Sequence, residues 1–415
     1  MKETYDCVVI GAGPAGCTSA ALIAEAGYST LLVEREKVPR FHVGESLMPE
    51  TYWVFQRLGV LEQMKSSDFV KKRSVQFVSH SGKESAPFFF DKHDPRECSQ
   101  TWQVERGRFD KMLFDNANRL GADTYDETRV MDVHFDGDRA TGVTVRRDGE
   151  TRQIAARTVI DATGLQAFIP NRLGLIVDNP DLQKIAIWSY YRDATRDEGK
   201  NLGATIILHT DAKESWFWFI PLADGITSIG VVGDRDYMLK GRGKPPQVFA
   251  DELMKCPAMQ RRLASATQSE DFHVAKEFSY STTRRSGEGW VLVGDAYGFI
   301  DPIYSTGVFF ALRTGELAAD AIVEGFQKND LSASQLGCWT KDFDEGVKWI
   351  RKLVGAYYTN EFSFGRFLKT NMQHVGNLTD LLIGRIFYDG AGDIFDDMDQ
   401  AIEQSIRDRV SGRDM

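Results

Sequence analysis

Gly11, Gly13 and Gly16 follow the apolar run Tyr5 to Ile10 and lead into Ala15 to Ala26, a stretch with helical spacing of small residues. Glycines at these places allow a tight turn and close approach of backbone to a pyrophosphate, whose charge the helix N-terminus attracts. Ala15 falls in that first turn. Glu34, followed by Arg35, ends the next apolar run, Thr30 to Glu34, and can accept from ribose hydroxyls. The chemistry implied is binding of a dinucleotide cofactor, since a chance glycine turn would not bring the strand, helix and acid with it. The glycine motif fits FAD and NAD alike. Gly294-Asp295-Ala296, after the apolar run Trp290 to Val293, favours FAD: it is similar to the late Gly-Asp of FAD enzymes with a split nucleotide domain, which implies that Asp295 hydrogen-bonds the ribityl chain. With a single GxGxxG, no dedicated nicotinamide domain is expected, and the hydride that reduces the flavin would come from another protein.

These residues need a particular scaffold. The apolar run, helix-like stretch and second apolar run of residues 5–34 read as a βαβ unit. Thr158 to Ile160 leads into Asp161-Ala162-Thr163-Gly164, and Trp290 to Val293 into the glycine-aspartate pair, so two further parallel strands are expected. Lys184 to Tyr191, Ala204 to His209, Trp216 to Pro221 and Ile226 to Val232 are rich in β-branched and aromatic residues and read as strands of a second sheet. After about residue 330 the pattern turns helical and aromatic and ends in an acidic tail. The fold class is α/β: a Rossmann-like FAD-binding domain of the two-domain flavin monooxygenase type, a mixed β-sheet substrate domain and a C-terminal helical region. The segments 1–68, 101–178 and 281–328 are assigned to the FAD-binding domain, 69–100 and 179–280 to the substrate domain, and 329–415 to the helical region.

Bulk properties narrow the partners. A chain of 415 residues, 42% apolar and 27% charged, can bury a large cofactor. Its formal net charge of −10 argues against nucleic acid, whose phosphates require basic residues. No uncharged apolar run reaches the ~18 residues of a membrane span, and the first residues lead straight into a strand, so a cytoplasmic protein is expected. Five widely spaced cysteines without a CxxC pair, and seven histidines without HExxH spacing, indicate neither disulfide framework nor metal site.

Three further segments carry chemistry. Trp216 and Trp218 alternate in Trp216-Phe217-Trp218-Phe219-Ile220-Pro221, so both indoles share one strand face. Phe299-Ile300-Asp301-Pro302-Ile303-Tyr304-Ser305-Thr306-Gly307 leads into a helical stretch whose first N–H groups lack intrahelical partners. Lys71, Lys72 and Arg73 stand in Asp68-Phe69-Val70-Lys71-Lys72-Arg73-Ser74-Val75-Gln76-Phe77, where three basic residues alone would read as a solvated edge.

Together these segments resemble the flavin-dependent halogenases, in the branch acting on phenols and pyrroles. The resemblance runs from about residue 5 to about residue 325 and includes the family's WxWxIP and FxxPxxSxG patterns in full. It implies that Trp216 and Trp218 stand beside the flavin and keep organic substrate away from it. It implies that the loop with Pro302 lines the flavin ring and that Thr306 and Gly307 bind halide through backbone N–H groups. By the family's register the functional amine is Lys72, with Lys71 on the opposite face. Val43-Gly44-Glu45-Ser46-Leu47 resembles the segment beside the isoalloxazine, bringing in Glu45 and Ser46. Val104-Glu105-Arg106-Gly107-Arg108-Phe109-Asp110 resembles a helix whose first arginine, Arg106, contacts the cofactor.

The activity so implied uses FAD, as FADH2 from a separate flavin reductase, with O2 and chloride or bromide, to make hypohalous acid. Lys72 then directs it to a small electron-rich aromatic substrate, free or held on an acyl or peptidyl carrier protein. The chain lacks the long C-terminal extension of the tryptophan-acting branch, which argues against free tryptophan. Two rivals remain: an FAD-dependent aromatic hydroxylase or prenyl-reductase-type oxidoreductase without halide, and a flavin-binding structural or sensory protein.

Overall fold

In the strand Thr4–Ile10 the run Cys7 to Ile10 is apolar and buried because both of its faces are covered: it lies at the centre of the parallel part of an eight-stranded sheet, with Glu150–Asp161 on one side and Thr30–Val33 on the other. The computed structural model describes residues 1–359 and 362–410. Trp290–Leu292 extends the sheet beyond Glu150–Asp161, and Asp123–Tyr125 extends it beyond Thr30–Val33, both in parallel. The register sets Ile10 opposite Val33 and Asp161, and Asp161 opposite Leu292. The carboxyl ends of four strands therefore lie together, and each is followed by a segment singled out in the sequence: Gly11, Glu34, Ala162 to Gly164, and Gly294-Asp295. Open α/β sheets bind ligands at this edge.

The second sheet has nine strands. Ser215–Pro221, the strand of both tryptophans, lies between Thr205–His209 and Ile226–Asp234, antiparallel to both. Ile226–Asp234 pairs with the long strand Ile176–Arg192, which pairs in turn with His273–Thr282. Thr205–His209 pairs with Ser74–Val78 in parallel, so the sheet is mixed, as expected. The expected strands in this region each form.

Lys72 stands in neither large sheet. Val70–Lys72 and Thr101–Gln103 form a separate two-stranded ladder in which Lys72 is opposite Thr101. Burial alternates along it: Lys71 and Arg73 are exposed and Lys72 is buried.

The C-terminal region is helical as expected, with Thr340–Tyr358, Val375–Ile383 and Ile394–Val410 its longest helices; residues 360–361 and 411–415, including the end of the acidic tail, lie outside the described residues. Phe343, Ile350, Leu353, Tyr357, Leu381 and Phe395 from these helices belong to the same hydrophobic core as the first sheet and the two tryptophans. Among the described residues, no helix is long and apolar enough to cross a membrane.

Candidate functional site

A cavity runs along the carboxyl edge of the first sheet and under the tryptophan strand. At one end it is bounded by Gly11, Gly13, Ala15, Glu34 and Arg35. Gly11 has φ +99°, and a Cβ on Gly16 would stand 1.9 Å from the Gly11 carbonyl oxygen, so no side chain fits where helix meets strand. Gly16 itself does not reach the cavity; its part is this close packing. Glu34 Oε2 accepts the Ala12 N–H at 3.0 Å and Oε1 the Glu36 N–H at 3.1 Å, which ties the acid to the glycine turn. Arg35 is about half exposed and donates to Gln166. Arg40, absent from the sequence expectations, reaches Glu34 at 3.3 Å and Asp110 at 2.7 Å.

Arg106 opens the helix Arg106–Arg119 and is buried, paired with Asp110 (Nε to Oδ1, 2.9 Å) and donating to the carbonyl oxygens of Val43 and Gly44. It thereby holds the 43–46 segment against the cavity. Arg108, two residues on, turns outward to Asp68. Asp295 lines the same wall, its carboxyl pushed up to about 6 by burial, with the Arg106 guanidinium acting against that rise. A turn that excludes Cβ atoms, an acid behind it, a buried carboxyl and an arginine on one continuous cavity fit a dinucleotide with a tricyclic head.

Trp216 and Trp218 cover the far end, with ring centroids 6.4 Å apart. Both are buried and both indole N–H groups are engaged: Trp218 Nε1 donates to Ser228 Oγ at 3.1 Å and Trp216 Nε1 to the Tyr358 hydroxyl at 3.0 Å. Gly230, opposite Trp218 in the ladder, makes room for this packing, since a Cβ there would stand 2.3 Å from the Trp218 ring. Pro302 and Gly307 line the cavity beside them, together with Asp301, Ile303 and Ser305. Thr306, the first residue of the helix Thr306–Lys328, is buried and stands back from the cavity lining. Ser305 has φ +59°, a left-handed kink that turns the chain into that helix.

Glu45 and Ser46 are buried in the cavity wall. The Glu45 carboxyl accepts from the Tyr190 hydroxyl at 2.6 Å and is raised to about 7 by burial. Ser46 Oγ accepts from Lys72 Nζ at 2.8 Å and lies 2.8 Å from Thr205 Oγ1. Lys72 is 1% exposed and does not touch the cavity itself; Ser46 stands between them. The second acceptor for its amine is the Leu47 carbonyl at 2.9 Å, and burial pulls its pKa down to about 7.

The structure thus gathers Gly11, Gly13, Ala15, Glu34, Arg35, Glu45, Ser46, Arg106, Trp216, Trp218, Asp295, Pro302 and Gly307 around one cavity, with Lys72 one hydrogen bond away and Gly16 and Thr306 behind it. Sequence reasoning passed over Arg40, Tyr190, Thr205, Asp301 and Tyr358. Of these only Asp301 lay inside a recognised motif.

Residues 4–313 match the family model described as FAD binding domain. The chain is 29% identical to the 1H-pyrrole-2-carbonyl-[peptidyl-carrier protein] chlorinase of Pseudomonas fluorescens, covering 96% of this chain and 93% of that protein. It is 32% identical to the 1H-pyrrole-2-carbonyl-[peptidyl-carrier protein] brominase of Pseudoalteromonas luteoviolacea, covering 79% of each. Among solved structures, the flavin-dependent brominase Bmp2 superimposes with a TM-score of 0.87 at 28% identity, over 97% of this chain and 99% of that one.

Proposed function

The chain belongs to the FAD binding domain family and, within it, to the flavin-dependent halogenases, and on that premise we propose that it halogenates an electron-rich pyrrole or phenol through Lys72. Bound FAD, once reduced, supplies the electrons and activated oxygen that convert chloride or bromide into hypohalous acid. Gly11, Gly13, Ala15, Glu34 and Arg35 would hold its dinucleotide end, with Gly16 keeping the turn closed behind them, and Glu45, Ser46, Arg106, Asp295 and Pro302 would hold its ribityl chain and ring. The first N–H groups of the helix, at Gly307 on the cavity and at Thr306 just behind it, would bind halide, because they have no intrahelical acceptor. Trp216 and Trp218 wall off organic substrate, and rigid indoles with both N–H groups bonded suit a wall. Hypohalous acid, small enough to pass, reaches the Lys72 amine past Ser46, the residue between it and the cavity, and the amine passes electrophilic halogen to a ring that must be admitted to this buried position. The division into FAD-binding, substrate and helical segments belongs to the same reading; the strand Ile176–Arg192 runs across one of its boundaries.

The observation that carries this reading is the burial of Lys72 against two neutral acceptors; burial lowers its pKa, and a solvated ammonium could not serve as a basic amine at neutral pH. The likeness to enzymes named for pyrrole on a peptidyl carrier protein, nearly full-length for the chlorinase and over 79% of each chain for the brominase, supports a carrier-tethered pyrrole as substrate. A separate flavin reductase as electron source and a cytoplasmic location complete the proposal.

The test is mass spectrometry of mixtures of the protein, FAD, a flavin reductase, NADH, oxygen and a panel of phenols and free or carrier-bound pyrroles, with halide present or omitted. A halide-dependent product with the halogen isotope pattern, lost in Lys72→Ala, is the expected result. Oxygen insertion or reduction that ignores halide would overturn it.

A further inference from the structure

Making hypohalous acid consumes a proton: FADH2 + O2 + X− + H+ gives FAD + HOX + H2O. The O–O bond breaks, an X–O bond forms, the halide gives up two electrons, and the proton ends on oxygen. Lys72 acts after this step, and the indoles and backbone amides keep their hydrogens. Two carboxyls of the cofactor wall, Glu45 and Asp295, also have raised pKa values, but neither belongs to the loop whose N–H groups hold the halide.

Asp301 is the carboxyl group of the halide loop, one residue before Pro302, and it lines the cavity with Ser305 and Gly307. It is 5% exposed. Its carboxyl accepts the Ile303 N–H at 2.9 Å and the Tyr358 hydroxyl at 3.1 Å. Tyr358 ends the helix Thr340–Tyr358 and its hydroxyl also accepts from Trp216 Nε1. Behind Trp216 lies a second, polar pocket, bounded by Tyr358, Tyr357, Lys184 and His209 and opening at the exposed residues Asp181 and Glu214. Trp216 is common to both cavities, so Asp301 and Tyr358 bridge the wall that the indole forms.

We propose that Asp301 is the acid of the halide step: it delivers the proton that hypohalous acid formation consumes, and Tyr358 re-protonates it from the polar pocket behind Trp216. This rests on the halogenase reading. Burial pushes the Asp301 carboxyl up to about 7, the Tyr358 and Ile303 hydrogen bonds acting against that rise, so a large share is protonated at neutral pH. The ionisable groups facing it are Tyr304 on its own loop, Tyr357 and Tyr358 from the C-terminal helix, Lys184 from Ile176–Arg192 and Asp234 from Ile226–Asp234. Lys184 Nζ stands 3.8 Å over the Tyr358 ring and is itself paired with Asp234 at 2.7 Å, so that among the described residues no cation pairs directly with Asp301. The sign follows: an acid must be protonated to act, so hypohalous acid formation falls as pH rises through the Asp301 pKa.

Two measurements on the full chain test this. In the ligand-free protein, infrared titration assigns to Asp301 the component of the protonated carboxyl band that wild type has and Asp301→Asn lacks, because Glu45 and Asp295 contribute to the same band. The midpoint of that component is expected to rise in Tyr358→Phe, because the hydroxyl that stabilises the carboxylate is gone. With FAD, reductase and halide but no substrate, a soluble trap measures hypohalous acid upstream of Lys72. Asp301→Asn is expected to slow its formation by roughly 10²-fold and to flatten the alkaline fall, and Tyr358→Phe to move that fall upward in pH. An Asp301→Asn protein that binds FAD and makes hypohalous acid at the wild-type rate with an unchanged pH profile overturns the proposal. Should that variant not fold, Tyr358→Phe decides alone: an unmoved carboxyl midpoint and an unmoved pH profile overturn it. If the wild-type protein makes no halide-dependent oxidant, the halogenase reading falls and takes this one with it.

Discussion

Lys72 has two acceptors, Ser46 Oγ and the Leu47 carbonyl, and both are neutral. A neutral amine has two N–H groups to satisfy and an ammonium three, so this site suits the neutral form. The folded pKa of about 7 lies below the 10.5 of a free lysine. Between those values the unfolded chain binds a proton that the folded one does not, so this residue's contribution to stability improves as pH rises through the window and the full penalty is present below it. Lys72→Met, which carries no such penalty, should therefore unfold at a higher denaturant concentration than wild type at neutral pH, by up to about 4 kcal/mol. The gap should narrow toward alkaline pH, and no halogenated product should form. Equal denaturation midpoints at all pH values would mean that Lys72 is charged or solvated in the folded protein. Lys71, exposed on the opposite face, should tolerate alanine with product formation within about twofold of wild type. Strand alternation made it legible that one of the two neighbouring lysines faces inward, but which one came only from the resemblance to the halogenase register. Asp301 and Tyr358 were not, since two side chains 57 residues apart meet only once the C-terminal helix is packed.

The strand of the tryptophans was legible as an element: the expected Trp216 to Pro221 differs from Ser215–Pro221 by one residue, because aromatic and β-branched density marks a buried strand. Its neighbour's glycine was not, because a lone glycine in a strand pattern has several explanations until the facing side chain is known. Gly230 lies opposite both Trp218 and Trp188 in the ladders, and an added Cβ would stand 2.6 Å from the Trp188 Cβ as well as against the Trp218 ring. Gly230→Ala should cost about 1 to 3 kcal/mol by overpacking and push the Trp218 indole off Ser228. Denaturant unfolding with tryptophan emission reads both effects, and unchanged stability and emission would show that the indole is loosely held. The ladder carrying Lys72 was also hidden at this scale, since its two strands are three residues each and pair across a long insertion.

The parallel sheet, the mixed sheet and the helical end were each expected, but not how the helical end closes the molecule over its chemistry. Its residues carry no motif, and helix periodicity says which face is apolar without saying what that face covers. In the structure Val375–Ile383 returns to the cavity side: the Ile383 carbonyl accepts the Glu50 N–H at 3.1 Å, and the Ile383 side chain packs in a small cluster with Val75 and Phe90. Phe90 is the ring beside Lys72, 6.0 Å from its amine. The C-terminal region therefore helps keep water from the lysine, and the pKa of Lys72 belongs to the packing of the whole chain. Ile383→Ala tests this. Truncating a fully buried isoleucine should cost about 2 to 5 kcal/mol, and if water enters the space the Lys72 pKa should rise toward its ordinary value, since burial is what lowers it. The pH dependence of halogenated product should shift upward in the variant, while that of hypohalous acid formation, which precedes Lys72, stays where it is. A loss of stability with neither profile moved would mean that the helical end supports the fold and leaves the amine to its nearer neighbours, Ser46, Leu47 and Phe90.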